Sequence, residues 1–553
     1  MGVLVDADIV LLNGNILTMN DRQPRAQALA IKGDKIFGVG TDEEIKQTIG
    51  PQTFVKNLKG LTVIPGFIES HNHTLMFALD LQAIDLSAVN SLEEILRLVK
   101  ERADKQAAGT WIRGVGYNQN ELREKRHPTK YDLDKAAPQH LVCLRHTSAH
   151  GLAVNSLALA KAGIGRGTSD PPGGKIGRDE SGEPNGLLFE SPAMQLIEDI
   201  IPKPNRQEMV KALGLASEKF LAEGITSALD ASVGSNDIPY QIAAYQEATE
   251  LGILQVRHNL AIWSEALVDY AHLEESLQAT PGKLFQLGLR TGLGNEKLRL
   301  GPFKIIVDGA FSTVTAATYE PYGANRQERS CGVLVIEPEK LQRLVSQVHD
   351  WGWQLSLHGI GDRAIDLCLE AIKVAWARKP QGQARPRLEH ASMLTPPAIE
   401  LIKKLKVIPV MQPAFIWELA DNWFQQLGVE RARKCKPFKT LLAKEIPIAF
   451  SSDRPVVHGA PLLGIHAAVN QKTRSGHDFN PEEKISVVQA IQCYTINGAY
   501  ATGEEKIKGS LEVGKLADLV ILGEDITKVP PAEIKEIPIV ATMVGGNFCW
   551  ESK

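Results

Sequence analysis

Along the 553-residue chain, short apolar runs alternate with amphipathic stretches, and the register of that alternation changes twice. From Ala7 to Gly40 the runs IVLLNGNILTM and AQALAIKGDKIFGVG are β-rich, with Asn13-Gly14 and Lys32-Gly33-Asp34 as hairpin signals. Gly509 to Asp525 and Pro538 to Glu551 have the same character, with Gly545-Gly546 as a further tight turn. An isolated hairpin is marginal in water, so these pieces predict one small β-sandwich assembled from both ends of the chain. Between them lie the strand-like runs Leu61–Phe67, Ile225–Ala231, Leu254–Ile262, Phe303–Gly309, Trp353–Gly359, Arg385–Ala391, Val407–Pro413 and Ile446–Asp453. They alternate with helical patterns such as Glu337–Trp351, Ala364–Ala377 and Pro397–Lys404, the mark of βαβ units and a parallel sheet. Eight such strands close a (β/α)8 barrel.

Spacing also locates an insertion. From Ile225 onward successive strands begin 29, 49, 50, 32, 22 and 39 residues apart, whereas Leu61 and Ile225 are 164 apart. The fold class expected is therefore α/β: a TIM-like barrel over 61–78 and 205–504, a composite β-sandwich from 1–60 and 505–553, and an inserted α/β cap domain over 79–204. Within the insertion, Ser91-x-x-Glu94 is a capping-box signal and Leu141–Leu144 a strand.

Composition narrows the function classes. The chain is 43% hydrophobic and 23% charged with a net charge of −4, so neither wholesale disorder nor a nucleic-acid footprint is present. Six scattered cysteines without a Cys-x-x-Cys pair read as reduced core thiols. The first ten residues carry Asp6 and Asp8 rather than a basic region, and no apolar run approaches the roughly 18 residues of a membrane helix. A cytoplasmic protein acting on a small molecule, without nucleic acid or membrane as partner, is the expectation.

Active sites of this barrel gather at the C-terminal strand ends. His71 and His73 follow the first run and, two apart in extended chain, face the same side; Lys304 lies in the fourth run, His358 and His390 end the fifth and sixth, and Asp453 ends the eighth. Such a set at one barrel mouth points to a metal centre.

Pro65-Gly66-Phe67-Ile68-Glu69-Ser70-His71-Asn72-His73 resembles the first-strand signature of the amidohydrolase superfamily. Lys304-Ile-Ile-Val-Asp308-Gly309-Ala310, His358-Gly-Ile-Gly-Asp362-Arg363-Ala364, Arg387-Leu-Glu-His390-Ala391, Ser452-Asp453-Arg-Pro455, Tyr494-Thr-Ile-Asn497-Gly498-Ala499 and the Gly509–Asp518 segment are similar to runs of its YtcJ-like branch (amidohydrolase family 3), which includes the N-substituted formamide deformylases. The resemblance implies that His71, His73 and Asp453 hold one divalent metal, with zinc best suited, and that His358 and His390 hold a second if Lys304 is carbamylated and bridges both. It implies a metal-activated water attacking an amide, N-formyl or N-acyl carbon, with Asp453 as base and then acid, His358 and Lys304 completing the catalytic set, and a homodimer as a candidate assembly. Cyclic imide, urea or carbamate hydrolysis on the same site stands as the alternative, and a binding scaffold without catalysis as a remote one. Tyr117, His150, Asp308 and Arg363 are the expected substrate-binding residues. Here the sequence departs from the branch: Tyr117-Asn118 stands for Trp-Asp, Ser148-Ala149-His150 for Asp-Gly-His, and Phe311-Ser-Thr-Val-Thr lacks an arginine, which favours an apolar or neutral substrate.

Overall fold

The computed structural model describes residues 6–119, 121–147, 151–171, 174–189, 191–234, 238–264, 267–268, 288–323, 330–379 and 385–552. Contacts divide the chain into one unit of Met1–Leu75 with Ala216–Lys553 and another of Met76–Leu215.

The larger unit is built on an eight-stranded, all-parallel sheet: β1 (Phe67–Asn72), β2 (Ile225–Val233), β3 (Arg257–Trp263), β4 (Leu298–Ile306), β5 (Leu355–Gly359), β6 (Arg387–His390), β7 (Ile408–Met411) and β8 (Ala449–Phe450), in that spatial order. The Asp453 N–H donates to the His71 carbonyl at 2.9 Å and the His73 N–H to the Arg454 carbonyl at 2.8 Å, bringing the end of the last strand onto the end of the first. β2 is buried along its whole length, as expected of a parallel strand covered on both faces. The helices predicted between strands form as Pro338–Asp350, Asp362–Arg378 and Pro396–Leu405.

The first barrel strand differs from the expected one. Thr62–Pro65 pairs with Leu519–Leu522 and Asn15–Leu17 in a six-stranded sheet, and the barrel begins only at Phe67. The switch falls at Gly66, whose N–H donates to the Asp518 carbonyl and whose missing Cβ would lie 2.1 Å from Thr226 Oγ1. Pro65 has no N–H to continue a ladder, and only glycine fits the crossing.

That six-stranded sheet also takes in Ile539–Val544 and Asn547–Glu551, so it is woven from both ends of the chain. A four-stranded sheet of Lys35–Gly40, Ala28–Lys32, Ile9–Leu12 and Phe54–Asn57 accompanies it. Leu11, Leu29, Ile31, Val63, Leu519, Ile521 and Met543 make their common core. Gly33 and Gly545-Gly546 turn hairpins as expected, but Asn13-Gly14 does not: Ile9–Leu12 and Asn15–Leu17 belong to different sheets. The buried Arg257 guanidinium holds Asp518 through two bonds of 2.8 and 3.0 Å, tying β3 to the C-terminal sheet.

The smaller unit carries a six-stranded mixed sheet in the order Lys175–Arg178, Pro184–Phe189, Gly151–Val154, Leu141–His146, Trp111–Tyr117, Ile84–Asp85. The helix Leu92–Ala103 packs Ile95 and Val99 into a core with Ile112, Val142 and Leu144. Ser91 caps it by accepting from Glu94 N, while the Glu94 carboxylate accepts from Asn90 N instead of closing the box on Ser91.

Among the described residues, no helix is long and apolar enough to cross a membrane.

Candidate metal centre

Parallel strands all end on one side, so side chains at and just beyond their last residues converge there. His71 near the end of β1, His390 closing β6, and Asp453 just past β8 meet in this way, with one ligand atom from each lying within 4.8 Å of the others. All three are buried. His390 and Asp453 reach the meeting point through left-handed backbone, with φ of 69° and 62°. Such strain in non-glycine residues is held by the surrounding structure and gathers at functional sites.

The ring orientations show what the cluster is built for. His71 Nδ1 donates to Glu389 Oε2 at 2.6 Å, and that carboxylate also accepts from Arg387 Nε at 2.7 Å and Ser356 Oγ at 2.7 Å. An acceptor at Nδ1 leaves the Nε2 lone pair facing inward. His71 Nε2 lies 3.3 Å and His73 Nε2 3.1 Å from Asp453 Oδ1, which is buried without a well-formed hydrogen bond. The inward Nε2 lone pair of His71, set against a buried carboxylate oxygen, is repelled unless a cation lies between them. A buried His, His, Asp donor set with the far ring nitrogen held by a carboxylate is the arrangement divalent metal ligands require, so these residues fit the group.

Charge follows the same logic. Burial opposes ionisation of Asp453, yet the imidazoles of His71, His73 and His390 around it hold its carboxyl well below the usual range. Burial keeps His390 neutral, and His358 too, down to about 3, so both offer lone pairs at neutral pH. Lys304, 1% exposed, places Nζ 3.3 Å from His71 Nε2, and burial lowers its amine to about 8 despite the nearby Glu389 and Asp453 carboxylates.

The expected residues divide into those that meet and those that stand aside. His71, His390 and Asp453 form the converging set; His73 touches Asp453, and His358 packs its ring 4.3 Å from that of His390. His390, expected with His358, thus shares a cluster with His71. Asp308 lies 3.4 Å from His358 Nε2 through Oδ1, and its carboxylate accepts from the N–H groups of Ala317, Ile360 and Gly361 at 2.9, 3.1 and 2.9 Å, pinning the chain after β5. Burial pushes Asp308 up to about 7 against those bonds, and the Arg363 charge acts to lower it. Tyr117 lies in the smaller unit, its hydroxyl 3.1 Å from His127 Nδ1 and its ring edge-on to His146. His150 falls outside the described residues.

Sequence reasoning passed over Glu389, Gln412 and Lys436. Glu389 was in plain view within Arg387-Leu-Glu-His390, one residue before a member of the converging set. Gln412, whose Oε1 lies 3.0 Å from His390 Nδ1, and the fully buried Lys436 carried no signal, because they sit 22 and 46 residues beyond the histidine they serve.

Comparison with known proteins agrees with this geometry. A sequence model described as the amidohydrolase family matches residues 55–549. The protein of Bacillus subtilis (strain 168) named putative amidohydrolase YtcJ is 32% identical over 543 residues, covering 97% of this chain and 98% of its own. N-substituted formamide deformylase of Arthrobacter pascens is 29% identical over 557 residues, covering 98% of each. Among solved structures, an uncharacterized metal-dependent hydrolase from Pyrococcus furiosus superposes with a TM-score of 0.76 at 28% identity, over 94% of this chain and 100% of that one. With the barrel, the ligand cluster and a match spanning nearly the whole chain, the protein belongs to the amidohydrolase family.

Proposed function

We propose that this chain hydrolyses a carbon–nitrogen bond of a small molecule, an amide, N-formyl or N-acyl amine, at the cluster of His71, His390 and Asp453. The observation that carries the reading is the convergence of these three buried side chains at the barrel strand ends, with the His71 ring held so that Nε2 faces inward. The Arthrobacter pascens relative, named for a deformylase, supports the bond type.

His71, His390 and Asp453 would hold a divalent cation, zinc by donor type, with His73 beside them. When bound, such an ion supplies a water that ionises near neutral pH and a Lewis acid for a carbonyl oxygen. Everything else is done by the chain. Asp453, its carboxyl held well below the usual range, takes a proton from the attacking water and delivers it to the departing amine nitrogen. His358 stays neutral and keeps Nε2 3.2 Å from the Gly309 carbonyl, leaving Nδ1 as an acceptor or a second ligand. The Lys304 amine, neutral in good part at pH 8, is able to add carbon dioxide, releasing a proton and becoming a carboxylate-bearing ligand.

The test is a panel of N-formyl amines, N-acyl amines and small lactams incubated with the zinc-loaded protein and scored for amine release. Turnover by the wild type and its loss in Asp453→Asn supports the reading; equal turnover by Asp453→Asn overturns it.

A further inference from the structure

We infer that Lys436 is a positioning residue that decides which nitrogen of His390 is left free for a cation, acting through the Gln412 amide; this rests on the reading of His390 as a ligand.

Lys436 has no exposed surface, and its backbone enters left-handed at φ 56°. Its Nζ donates to the His390 carbonyl at 2.9 Å and to Gln412 Oε1 at 3.1 Å. The other end of the same amide, Nε2, donates to Ser451 Oγ at 3.0 Å and to the Val410 carbonyl at 3.3 Å. An amide has one accepting and one donating end, and here each end meets its complement. Turned over, the amide would set its N–H2 against the lysine amine and its oxygen against the Val410 carbonyl. Two repulsions would replace two bonds.

The consequence reaches the ring. Gln412 Oε1 also lies 3.0 Å from His390 Nδ1. An oxygen without a hydrogen can only accept, so Nδ1 carries the proton and Nε2 keeps its lone pair. As an ammonium, Lys436 has N–H groups for both acceptors and no lone pair with which to accept from a turned-over amide. His71 is oriented by a carboxylate, which has no donating end to misplace. His390 is oriented by an amide, which does, and the lysine removes that ambiguity. The same Nζ grips the carbonyl of His390, whose own backbone is left-handed at φ 69°.

The experiment reads the ring directly. In cation-free protein labelled with 15N-histidine, two-bond proton–nitrogen correlation, with His390 assigned through His390→Asn, should show Nδ1–H in the wild type and a mixture of both tautomers in Lys436→Met. Chelator competition with zinc should show ~10-fold weaker binding in Lys436→Met, the lower end of what removing an outer partner of a ligand costs. A lysine that merely filled space would leave His390 in Lys436→Met with the wild-type Nδ1–H. Nε2–H in wild-type His390, a reading that needs no variant to fold, overturns the inference, as does wild-type zinc affinity in Lys436→Met. If His390→Asn binds zinc like the wild type, the ligand reading itself fails; if His390→Asn loses zinc and Lys436→Met keeps it, only the role of the lysine fails.

Discussion

Replacing Glu389 with glutamine changes one atom and no volume, yet the structure makes it costly. Four N–H or O–H groups point at this buried carboxylate: His71 Nδ1 at 2.6 Å, Ser356 Oγ at 2.7 Å, and Arg387 Nε and Nη2 at 2.7 and 3.3 Å. A carboxylate accepts at both oxygens, whereas an amide accepts at one. With its N–H2 toward His71, the amide forces the ring into the other tautomer, so Nε2 carries a hydrogen toward Asp453 Oδ1 and no longer offers a lone pair. With its N–H2 toward Arg387, it leaves a guanidinium uncompensated in the core. Breaking a buried ion pair from one side costs about 3–5 kcal/mol. The loss at the ligand should weaken zinc binding about 10- to 100-fold, or ~1.4–2.7 kcal/mol. Chelator competition measures the second quantity and denaturant unfolding of the cation-free protein the first. Ser356→Ala, which removes one hydroxyl bond from the same carboxylate, should cost about 1.5–3 kcal/mol and leave affinity near wild type. A Glu389→Gln protein with unchanged zinc affinity would refute the assignment of Glu389 as the group that orients His71.

Further outcomes follow from other sites. His258 is fully buried between Phe220 and Tyr245, and burial lowers it to about 4, so folding must discharge it. Stability is therefore unaffected above its unfolded value near 6.5 and falls by about 3 kcal/mol as pH drops to 4; His258→Phe should flatten that decline in denaturant titrations across pH. Protein incubated with 13C-bicarbonate at pH 8 and zinc should show a carbamate resonance that Lys304→Met lacks; a wild type without the signal would leave Lys304 an amine and the centre without its bridge. Gly66→Ala, which drives a Cβ to 2.1 Å of Thr226 Oγ1 and 2.7 Å of its Cβ, should destabilise by about 1–3 kcal/mol in thermal unfolding, and an unchanged midpoint would mean that the crossing has slack.

The barrel strands were legible because a parallel strand covered on both faces is written as a short, largely apolar run, as in Ile408–Met411. The convergence of His71, His390 and Asp453 was legible because the fold brings the ends of those runs together. What could not be read is whatever depends on pairing between distant segments. Thr62–Pro65 and Phe67–Asn72 look like one strand until Gly66 is seen passing Thr226. Asn13-Gly14 looks like a hairpin until its flanking strands separate into two sheets. Glu504, burial opposing but Lys508 and Arg299 holding it low, also bonds Asn259, and Lys508 bonds Ser227. These four partners come from three barrel strands and the 504–508 segment, and no local pattern announces them. The Lys436–Gln412–His390 chain is of the same kind: each member is ordinary alone, and only their meeting gives them a role.

The most direct test of the site is anomalous diffraction from crystals of the zinc-loaded protein, measured on both sides of the zinc edge. The structure predicts a peak within about 2.0–2.2 Å of His71 Nε2, His390 Nε2 and an Asp453 carboxylate oxygen. A fully loaded crystal whose zinc peak lies away from these three atoms would contradict the account.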